Sequence, residues 1–131
     1  MAAALLDTTI LIDLLRGREG ARARLEDLRN SGDEAWVCAV NVEEIARGLR
    51  ESERHTASRM LSGMRMAPIR LDEGWRAGTW RRHFAASGVT LAQADCLIAA
   101  AAIGVNARLA TGNPRHFPMD ELRVEHWPVG E

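Results

Sequence analysis

The 131-residue sequence contains no lysine and no apolar run of the ~20 residues that a membrane-spanning helix needs. All 17 basic residues are arginine, and 18 acidic residues bring the formal net charge to -1. This balance excludes a wholly basic nucleic-acid binder, so any such contact would depend on local clusters of arginine. The N-terminal apolar stretch meets Asp7 before it reaches signal-peptide length. We therefore expect a cytoplasmic protein that makes no membrane contact.

Cysteine and histidine are scarce and scattered. Cys38 and Cys96 lie far apart in apolar contexts, which indicates buried, reduced thiols rather than a disulfide or a metal-binding pair. The four histidines lack the spacing that zinc sites use. The length and the 47% hydrophobic content predict a single domain over residues 1–131 with a substantial core.

Apolar runs that end at polar residues alternate with amphipathic stretches along the chain. These runs predict strands over 3–7, 34–40, 67–71, 107–111 and, at an edge, 123–127. The amphipathic stretches predict helices over 8–17, 18–32, 41–52, 53–64, 72–88 and 91–104. Asn41 and Asp72 are the predicted N-caps of two of these helices. The alternation predicts an α/β fold with a mainly parallel sheet and helices on both faces.

Asp95 is the one acidic residue inside the apolar run 91–104. On a helix it shares a face with apolar positions, namely Leu91, Ala92, Ile98, Ala99 and Ala102. Burying a lone ionised carboxylate is unfavourable unless a partner or a metal ion compensates its charge. An arginine across the interface would satisfy this need, but a lone acid on an apolar face is typical of a functional position.

Two further candidates follow predicted strands. Asp7 and Asn113 stand just beyond the carboxyl ends of strands, where open α/β sheets form their ligand sites. Helices in such folds begin at the same edge, so Asp95, near the start of its helix, should reach it too. Asp7 would also serve as a helix N-cap, and Asn113 before Pro114 is a typical turn residue.

Glu43 and Glu44 compete for a place in the same site. Glu43 precedes Arg47 by four residues, which favours an exposed helical ion pair. Glu44 lies beside Gly48, where no side chain would obstruct a ligand, although Arg47 is only three residues away. We favour Glu44 for the site. For Asp13, three residues before Arg16, we expect a surface or interface position.

Arginines recur along two predicted helices, as Arg47, Arg50 and Arg54 and then as Arg76, Arg81 and Arg82. Trp75 and Trp80 alternate with the second group. Solvated faces with tryptophans packed inward explain each arginine singly. As a group they would bind nucleic-acid phosphates with a salt-sensitive affinity.

Four segments together resemble a known family. "LLDTTILIDLLRG", "VNVEEIARGL", "LAQADCLIAAAA" and "LATGNPRHF" are similar, in order and spacing, to the acidic blocks of PIN-domain ribonucleases. The resemblance is greatest to the VapC toxins of bacterial type II toxin–antitoxin pairs. It extends over residues 5–117, and its specificity comes from the order of the four blocks rather than from any one of them.

The resemblance implies a PIN-like three-layer α/β/α fold and a metal-dependent endoribonuclease that hydrolyses RNA with metal-activated water. The matching residues Asp7, Glu44 and Asp95 would hold Mg²⁺, with Mn²⁺ as the alternative ion. Asn113 stands where many PIN domains have a fourth acid, which leaves the number of metal ions open. Thr8 or Thr9 would orient Asp7 or a water. The family also implies a VapB-type antitoxin as partner and, often, a homodimer.

The residue chemistry is compatible with this implication, and three alternatives stay open. Close carboxylates raise one another's pKa, and a hard, oxygen-binding cation relieves their repulsion. A housekeeping PIN nuclease for RNA processing would use the same residues. A catalytically silent, protein-binding PIN-like module is supported by Asn113 alone. An aspartyl phosphatase is less favoured because "DTT" lacks a second acid two residues after the first.

Overall fold

Five strands form one sheet in the structure, a computed structural model that describes residues 2–131. The strands are β1 (Ala3–Leu6), β2 (Glu34–Cys38), β3 (Arg65–Ala67), β4 (Ala107–Thr111) and β5 (Val124–His126). Their order across the sheet is β3-β2-β1-β4-β5, and every neighbouring pair is parallel. The predicted α/β class is confirmed, and the sheet is wholly rather than mainly parallel.

Six α-helices connect these strands. They are α1 (Thr8–Leu15), α2 (Glu19–Asn30), α3 (Ala39–Gly48), α4 (Arg54–Ser62), α5 (Leu71–Ala86) and α6 (Gln93–Gly104). Short 3-10 turns occupy Glu51–Glu53 and Pro114–His116. Across residues 2–131, none of the helices has both the length and the apolar character that spanning a membrane requires.

Two hydrophobic cores lie on opposite faces of the sheet, because successive side chains of a strand point to opposite sides. On β1, Leu5 belongs to the core that includes α5 and α6, whereas Leu6 belongs to the core that includes α1 to α4. Both leucines are fully buried. Strands covered on both faces read as continuous apolar runs, as β1 does. The result is the predicted three-layer α/β/α arrangement.

Two predicted N-caps are wrong, because other residues begin those helices. α3 starts at Ala39, and Asn41 lies one turn inside it, where Asn41 Oδ1 accepts the Cys38 N–H at 2.8 Å. α5 starts at Leu71, and Glu73 Oε1 accepts the Arg70 N–H at 2.7 Å. A side chain three residues inside the helix thus satisfies the cap N–H, as in one half of a capping box.

The predicted helix over 41–52 forms as α3 but ends earlier, because the chain leaves helical geometry after Gly48. Leu49 is extended, with φ -80° and ψ 159°, and the 3-10 turn then leads into α4. Arg47 therefore lies on α3, Arg50 just before the 3-10 turn and Arg54 at the start of α4. These three arginines do not form one helical row. The predicted strand over 67–71 lies earlier, at β3.

Candidate active site

Asp7 lies directly after β1 and is 5% exposed. Its Oδ1 accepts the Thr8 N–H at 2.8 Å, so Asp7 is the N-cap of α1. Its Oδ2 accepts hydroxyl hydrogen bonds from Thr111 at 2.7 Å and from Thr9 at 3.3 Å. No ion pair among residues 2–131 includes Asp7. Within this part of the chain, Asp7 is therefore a buried carboxylate that is held by hydrogen bonds and not by an ion pair.

Thr111 is a site residue that sequence reasoning missed. It ends β4, is fully buried, and accepts the Asn113 N–H at 3.0 Å while donating to Asp7. Its position follows from the pairing of β1 with β4, in which Leu6 lies opposite Ala110. The available signal was a polar residue at the end of the apolar run 107–111, but no local pattern connects it to Asp7.

Glu44 is held by a chain of hydrogen bonds that begins at the buried Asn41. Asn41 Nδ2 donates to Thr8 Oγ1 at 3.0 Å, and Thr8 Oγ1 donates to Glu44 Oε1 at 2.7 Å. Asn41 itself is fixed by the Cys38 N–H. The Thr8 hydroxyl thus orients Glu44, whereas the Thr9 hydroxyl orients Asp7. Sequence reasoning assigned Asn41 only a capping role.

Glu44 and its neighbour Glu43 point in different directions. Glu43 is exposed, and its predicted ion pair with Arg47 does not form among the residues described. Glu44 is half-buried and lines a cavity of about 60 Å³ together with Gly48. A Cβ added to Gly48 would meet open space, so this side of Glu44 is unobstructed. Glu44 accepts the hydroxyl of Thr8, the residue after Asp7, so Glu44 rather than Glu43 lies on the Asp7 side of the sheet edge.

Asp95 lies in the first turn of α6, with its side chain 23% exposed. Burial raises the pKa of Asp95, and the negative charge of Asp7 raises it further. His116 lowers this pKa, whereas Glu44 adds a smaller increase. A helix N-terminus favours a negative charge, but here burial and like charges outweigh that preference. Asp7, Glu44 and Asp95 therefore share one electrostatic environment at the carboxyl edge of the sheet.

His116 is a second residue that sequence reasoning passed over. Its Nδ1 lies 3.6 Å from Asp95 Oδ2, and its side chain is 59% exposed. Its N–H donates to the Asn113 carbonyl at 3.0 Å, within the 3-10 turn that follows β4. The histidines lack the spacing of a zinc site, so no motif pointed to His116. Its available signal is that it follows Asn113 by three residues, at the edge of the sheet where the site was expected.

Asn113 remains a predicted site residue. It is exposed, and within residues 2–131 its side chain makes no hydrogen bond to Asp7, Glu44 or Asp95. Its backbone N–H instead fixes the Thr111 hydroxyl. The predicted turn role is evident in the structure, whereas a role in contacting water stays a prediction.

The oxygen atoms of Asp7, Glu44 and Asp95 are the candidate ligands for a divalent cation. Among residues 2–131, no three acidic, histidine or cysteine side chains converge into an assembled metal cluster. The acids nevertheless offer hard carboxylate oxygens, no ion pair within residues 2–131 includes Asp7 or Glu44, and burial together with like charges raises the pKa of Asp95. Mg²⁺ commonly keeps several waters and needs only one or two protein carboxylates. The residues therefore fit a hydrated divalent ion.

The surface expectations had mixed outcomes. Asp13 is 8% exposed and accepts the Gly130 N–H at 2.7 Å, so its predicted surface position is wrong. Trp80 packs inward at 5% exposure, with the Arg76 guanidinium 5.8 Å from its ring centroid. Trp75 is instead 68% exposed. A groove of about 870 Å³ runs along α5 beside Trp75 and Trp80. Asp7, Glu44 and Asp95 are not among its lining residues.

The fold and the acidic edge define a known class of protein. A PIN domain family model matches residues 4–122, and the chain belongs to the PIN domain family. Over 115 residues it is 37% identical to ribonuclease VapC19 of Mycobacterium tuberculosis, and the alignment covers 88% of this chain and 92% of the relative. Within the family, the chain belongs to the VapC group.

Solved structures have the same fold. VapBC2 from Rickettsia felis, determined bound to a DNA fragment from its promoter, matches with a TM-score of 0.85 and 21% identity, covering 95% of this chain and 98% of that chain. A toxin–antitoxin complex from Klebsiella pneumoniae matches with a TM-score of 0.73 and 28% identity, covering 89% and 92% of the two chains. These likenesses confirm the predicted PIN-like architecture.

Proposed function

We propose that this chain is a Mg²⁺-dependent endoribonuclease, with Mn²⁺ as the alternative ion, and that it acts as the toxin of a type II toxin–antitoxin pair. The observation that carries the proposal is the set of three carboxylates at the sheet edge: among the described residues no ion pair includes Asp7 or Glu44, and burial together with the charges of both raises the pKa of Asp95. The ribonuclease name of its 37% identical relative supports the reaction class.

Asp7 and Asp95 would hold the ion, and Glu44 would hold it directly or through water. When bound, the ion would polarise the scissile phosphodiester and acidify a water for in-line attack. The Thr9 and Thr111 hydroxyls keep the Asp7 carboxylate in one orientation. The Thr8 hydroxyl directs Glu44, which would accept the proton of the attacking water. Asn113 would contact a water at the rim.

RNA is the proposed substrate, bound through its phosphates. Arg47, Arg50 and Arg54 are exposed on successive elements that follow Glu44 along the chain. Their separation onto different elements suits an irregular single strand better than a straight helical row would. Binding should weaken as salt increases, because each neutralised phosphate releases counterions. With RNA as its substrate, the protein would act in the cytoplasm, which is the proposed location.

A VapB-type antitoxin is the proposed partner. The toxin–antitoxin complex from Klebsiella pneumoniae, 28% identical, supports an assembly of this kind. In this chain an apolar groove of about 250 Å³ lies between α3 and α4, and Val42, Ile45, Leu49 and Leu61 are among its lining residues. Co-expression with the product of an adjacent small gene, followed by affinity purification, tests the partner. Recovery of the toxin alone would contradict it.

We also propose a homodimer. Exposed apolar side chains at β3 and the start of α5 support it, namely Met66 at 53%, Leu71 at 76% and Trp75 at 68% exposure. Their burial between two copies would remove apolar surface from water. Light scattering at micromolar concentration tests this, and a species of only 14.4 kDa would contradict it.

The nuclease proposal is tested with Asp7→Ala and Asp95→Ala, assayed on RNA with Mg²⁺, with Mn²⁺ and with EDTA. Each variant should lose about a hundredfold or more in cleavage rate, the scale of removing a group that stabilises the transition state. Asp27→Ala, which removes an exposed acid from α2, is the matched control. Cleavage by either site variant at the wild-type rate, or full activity in EDTA, would overturn the assignment.

A further inference from the structure

The last five residues of the chain, 127–131, cross the carboxyl edge of the sheet from β5 towards α1 and α2, and we call them the C-terminal strap. The Trp127 N–H donates to the Thr111 carbonyl at 2.9 Å. The Gly130 N–H donates to Asp13 Oδ2 at 2.7 Å, and the Glu131 carbonyl accepts the Gly20 N–H at 3.2 Å. The strap is therefore anchored to β4, α1 and α2.

The strap packs against the Thr111–Gly112 turn, which supports Asp7. Val129 lies against Gly112 so closely that a Cβ on Gly112 would overlap Val129 Cγ1 and stand 3.3 Å from Val129 Cβ. The Gly112 N–H donates to Thr9 Oγ1 at 3.2 Å, and Thr9 donates in turn to Asp7. A continuous series of contacts thus connects Val129 to the Asp7 carboxylate.

Asp13 is the anchor on α1. It is 8% exposed, and none of the ion pairs within residues 2–131 includes it. The one hydrogen bond that its side chain makes in this part of the chain goes to Gly130 of the strap. A buried carboxylate is unfavourable without partners, so this bond is the contact that offsets its burial. Asp13 makes no hydrogen bond to Asp7, Glu44 or Asp95.

We propose that the C-terminal strap positions Asp7, with Asp13 and Val129 as its positioning residues. They hold the Thr111–Gly112 turn in place, so that the Thr9 and Thr111 hydroxyls fix Asp7 Oδ2 in one orientation. The inference rests on the proposed function, in which Asp7 holds the metal ion. Residues that support metal ligands commonly affect metal affinity without touching the ion.

The first test uses the close contact at Gly112. Gly112 does not have a positive φ, so alanine is free of backbone strain there, and the three atoms nearest to its Cβ would all belong to Val129. Gly112→Ala should weaken Mn²⁺ binding about tenfold, the lower end of what loss of a supporting contact costs a metal site. Adding Val129→Ala removes the overlapping methyl group and should restore affinity. Isothermal titration of Mn²⁺ measures both.

The second test loosens the anchor. Asp13→Ala removes the acceptor for the Gly130 N–H, whereas Asp13→Asn keeps a carbonyl oxygen at that place. The alanine variant should weaken Mn²⁺ binding, and the asparagine variant should retain most of it. Asp27→Ala is the control for loss of an acidic side chain elsewhere. A merely structural role would lower the melting temperature and leave the Asp7 carboxyl resonance unchanged.

The ¹³C chemical shift of the Asp7 carboxyl and the hydrogen exchange of the Asn113 amide, which donates to the Thr111 hydroxyl in the same turn, are measured on the metal-free protein. Both should change in Gly112→Ala and Asp13→Ala, and both should return to wild-type values in Gly112→Ala/Val129→Ala and Asp13→Asn. Wild-type values of both quantities in Gly112→Ala and in Asp13→Ala would overturn the proposed role of the strap. It would also be overturned if Gly112→Ala/Val129→Ala did not return to wild-type values. A wild-type protein that binds no Mn²⁺ and leaves RNA intact would contradict the nuclease, while these resonances would still decide the role of the strap.

Discussion

The Thr111 hydroxyl donates a 2.7 Å hydrogen bond to Asp7 Oδ2, although the two residues are 104 positions apart in the chain. β1 and β4 are neighbours in the sheet, so their carboxyl ends meet at one edge. Both residues are buried, at 0% and 5% exposure. A buried hydrogen bond to a charged acceptor contributes about 1.5–3 kcal/mol. This contact therefore both stabilises the fold and fixes a carboxylate of the candidate site.

Thr111→Val should lower the free energy of unfolding by about 1–3 kcal/mol, because Asp7 loses a hydrogen-bond donor in a buried place. Mn²⁺ affinity should fall with it, since the carboxylate is no longer fixed. Thr111→Ser keeps the hydroxyl and should retain most of both. Urea unfolding and calorimetric Mn²⁺ titration are the measurements. Equal behaviour of the valine and serine variants would contradict the importance of this hydroxyl.

Glu44→Gln and Glu43→Gln form a matched pair on adjacent residues of α3. Glu44→Gln should reduce RNA cleavage by about 10²-fold or more, the lower range of a general acid–base contribution. Glu43→Gln should leave the rate unchanged, because Glu43 is exposed and Glu44 accepts the Thr8 hydroxyl. Single-turnover cleavage of a labelled RNA measures the two rates. Loss of activity in the Glu43 variant instead would reverse the assignment.

Asp95→Asn should raise the melting temperature of the metal-free protein and reduce its stabilisation by Mn²⁺. Burial and the charge of Asp7 disfavour the ionised side chain, as the raised pKa indicates, so a neutral amide removes a destabilising charge. A ligand at a hundred times its Kd adds about 2.7 kcal/mol to the wild type. Thermal melts with and without Mn²⁺ test both effects, with Asp27→Asn as control. A less stable metal-free variant would count against the repulsion argument.

Trp80 and Glu121 define a pH dependence away from the site. The Trp80 Nε1–H donates to Glu121 Oε2 at 2.7 Å, and this hydrogen bond lowers the pKa of Glu121. Because the folded-state pKa lies below the unfolded value, the stabilisation is present above the unfolded pKa and is lost as the pH falls through the folded pKa. Glu121 is exposed, so the energetic effect is small.

Trp80→Phe should therefore raise the titration midpoint of the Glu121 carboxyl towards its ordinary value. Carboxyl ¹³C resonances followed from neutral to acidic pH measure the midpoint in each protein. The pH-dependent part of the stability difference between Trp80→Phe and the wild type should disappear when both carry Glu121→Gln. An unchanged Glu121 midpoint in Trp80→Phe would show that the Trp80 hydrogen bond is not the cause of the lowered Glu121 pKa.

Local patterns predicted most of the elements, because period and turn chemistry act over a few residues. The run 3–7 gave a buried strand and the run 91–104 gave a helix, as observed in β1 and α6. The predicted helix boundaries were less accurate where more than one residue had the chemistry to cap the helix. Asn41 and Asp72 have good N-cap chemistry, but the helices start earlier, and Glu73 rather than Asp72 accepts the cap N–H of α5.

The candidate site was only partly predictable. Asp7 and Asp95 stood out because a strand end and an apolar helical face make a carboxylate conspicuous. No local pattern connects Thr111, His116 or the hydrogen-bond chain from Asn41 to Glu44 with the acids, since each contact joins segments far apart in sequence. Asp13 shows the same limit, because its spacing to Arg16 predicted a surface position while its hydrogen bond goes to Gly130.

The sequence by itself determined the alternation of strands and helices, the class of fold and the acids that stand at strand ends and helix starts. Hydrophobic period and residue type decide these features locally. Only the tertiary structure decided how those acids are held: Asp7 by Thr9 and Thr111, Glu44 by Thr8, and the supporting turn by the C-terminal strap. Hydrogen bonds between distant segments depend on which strands are neighbours, and no short-range pattern encodes that order.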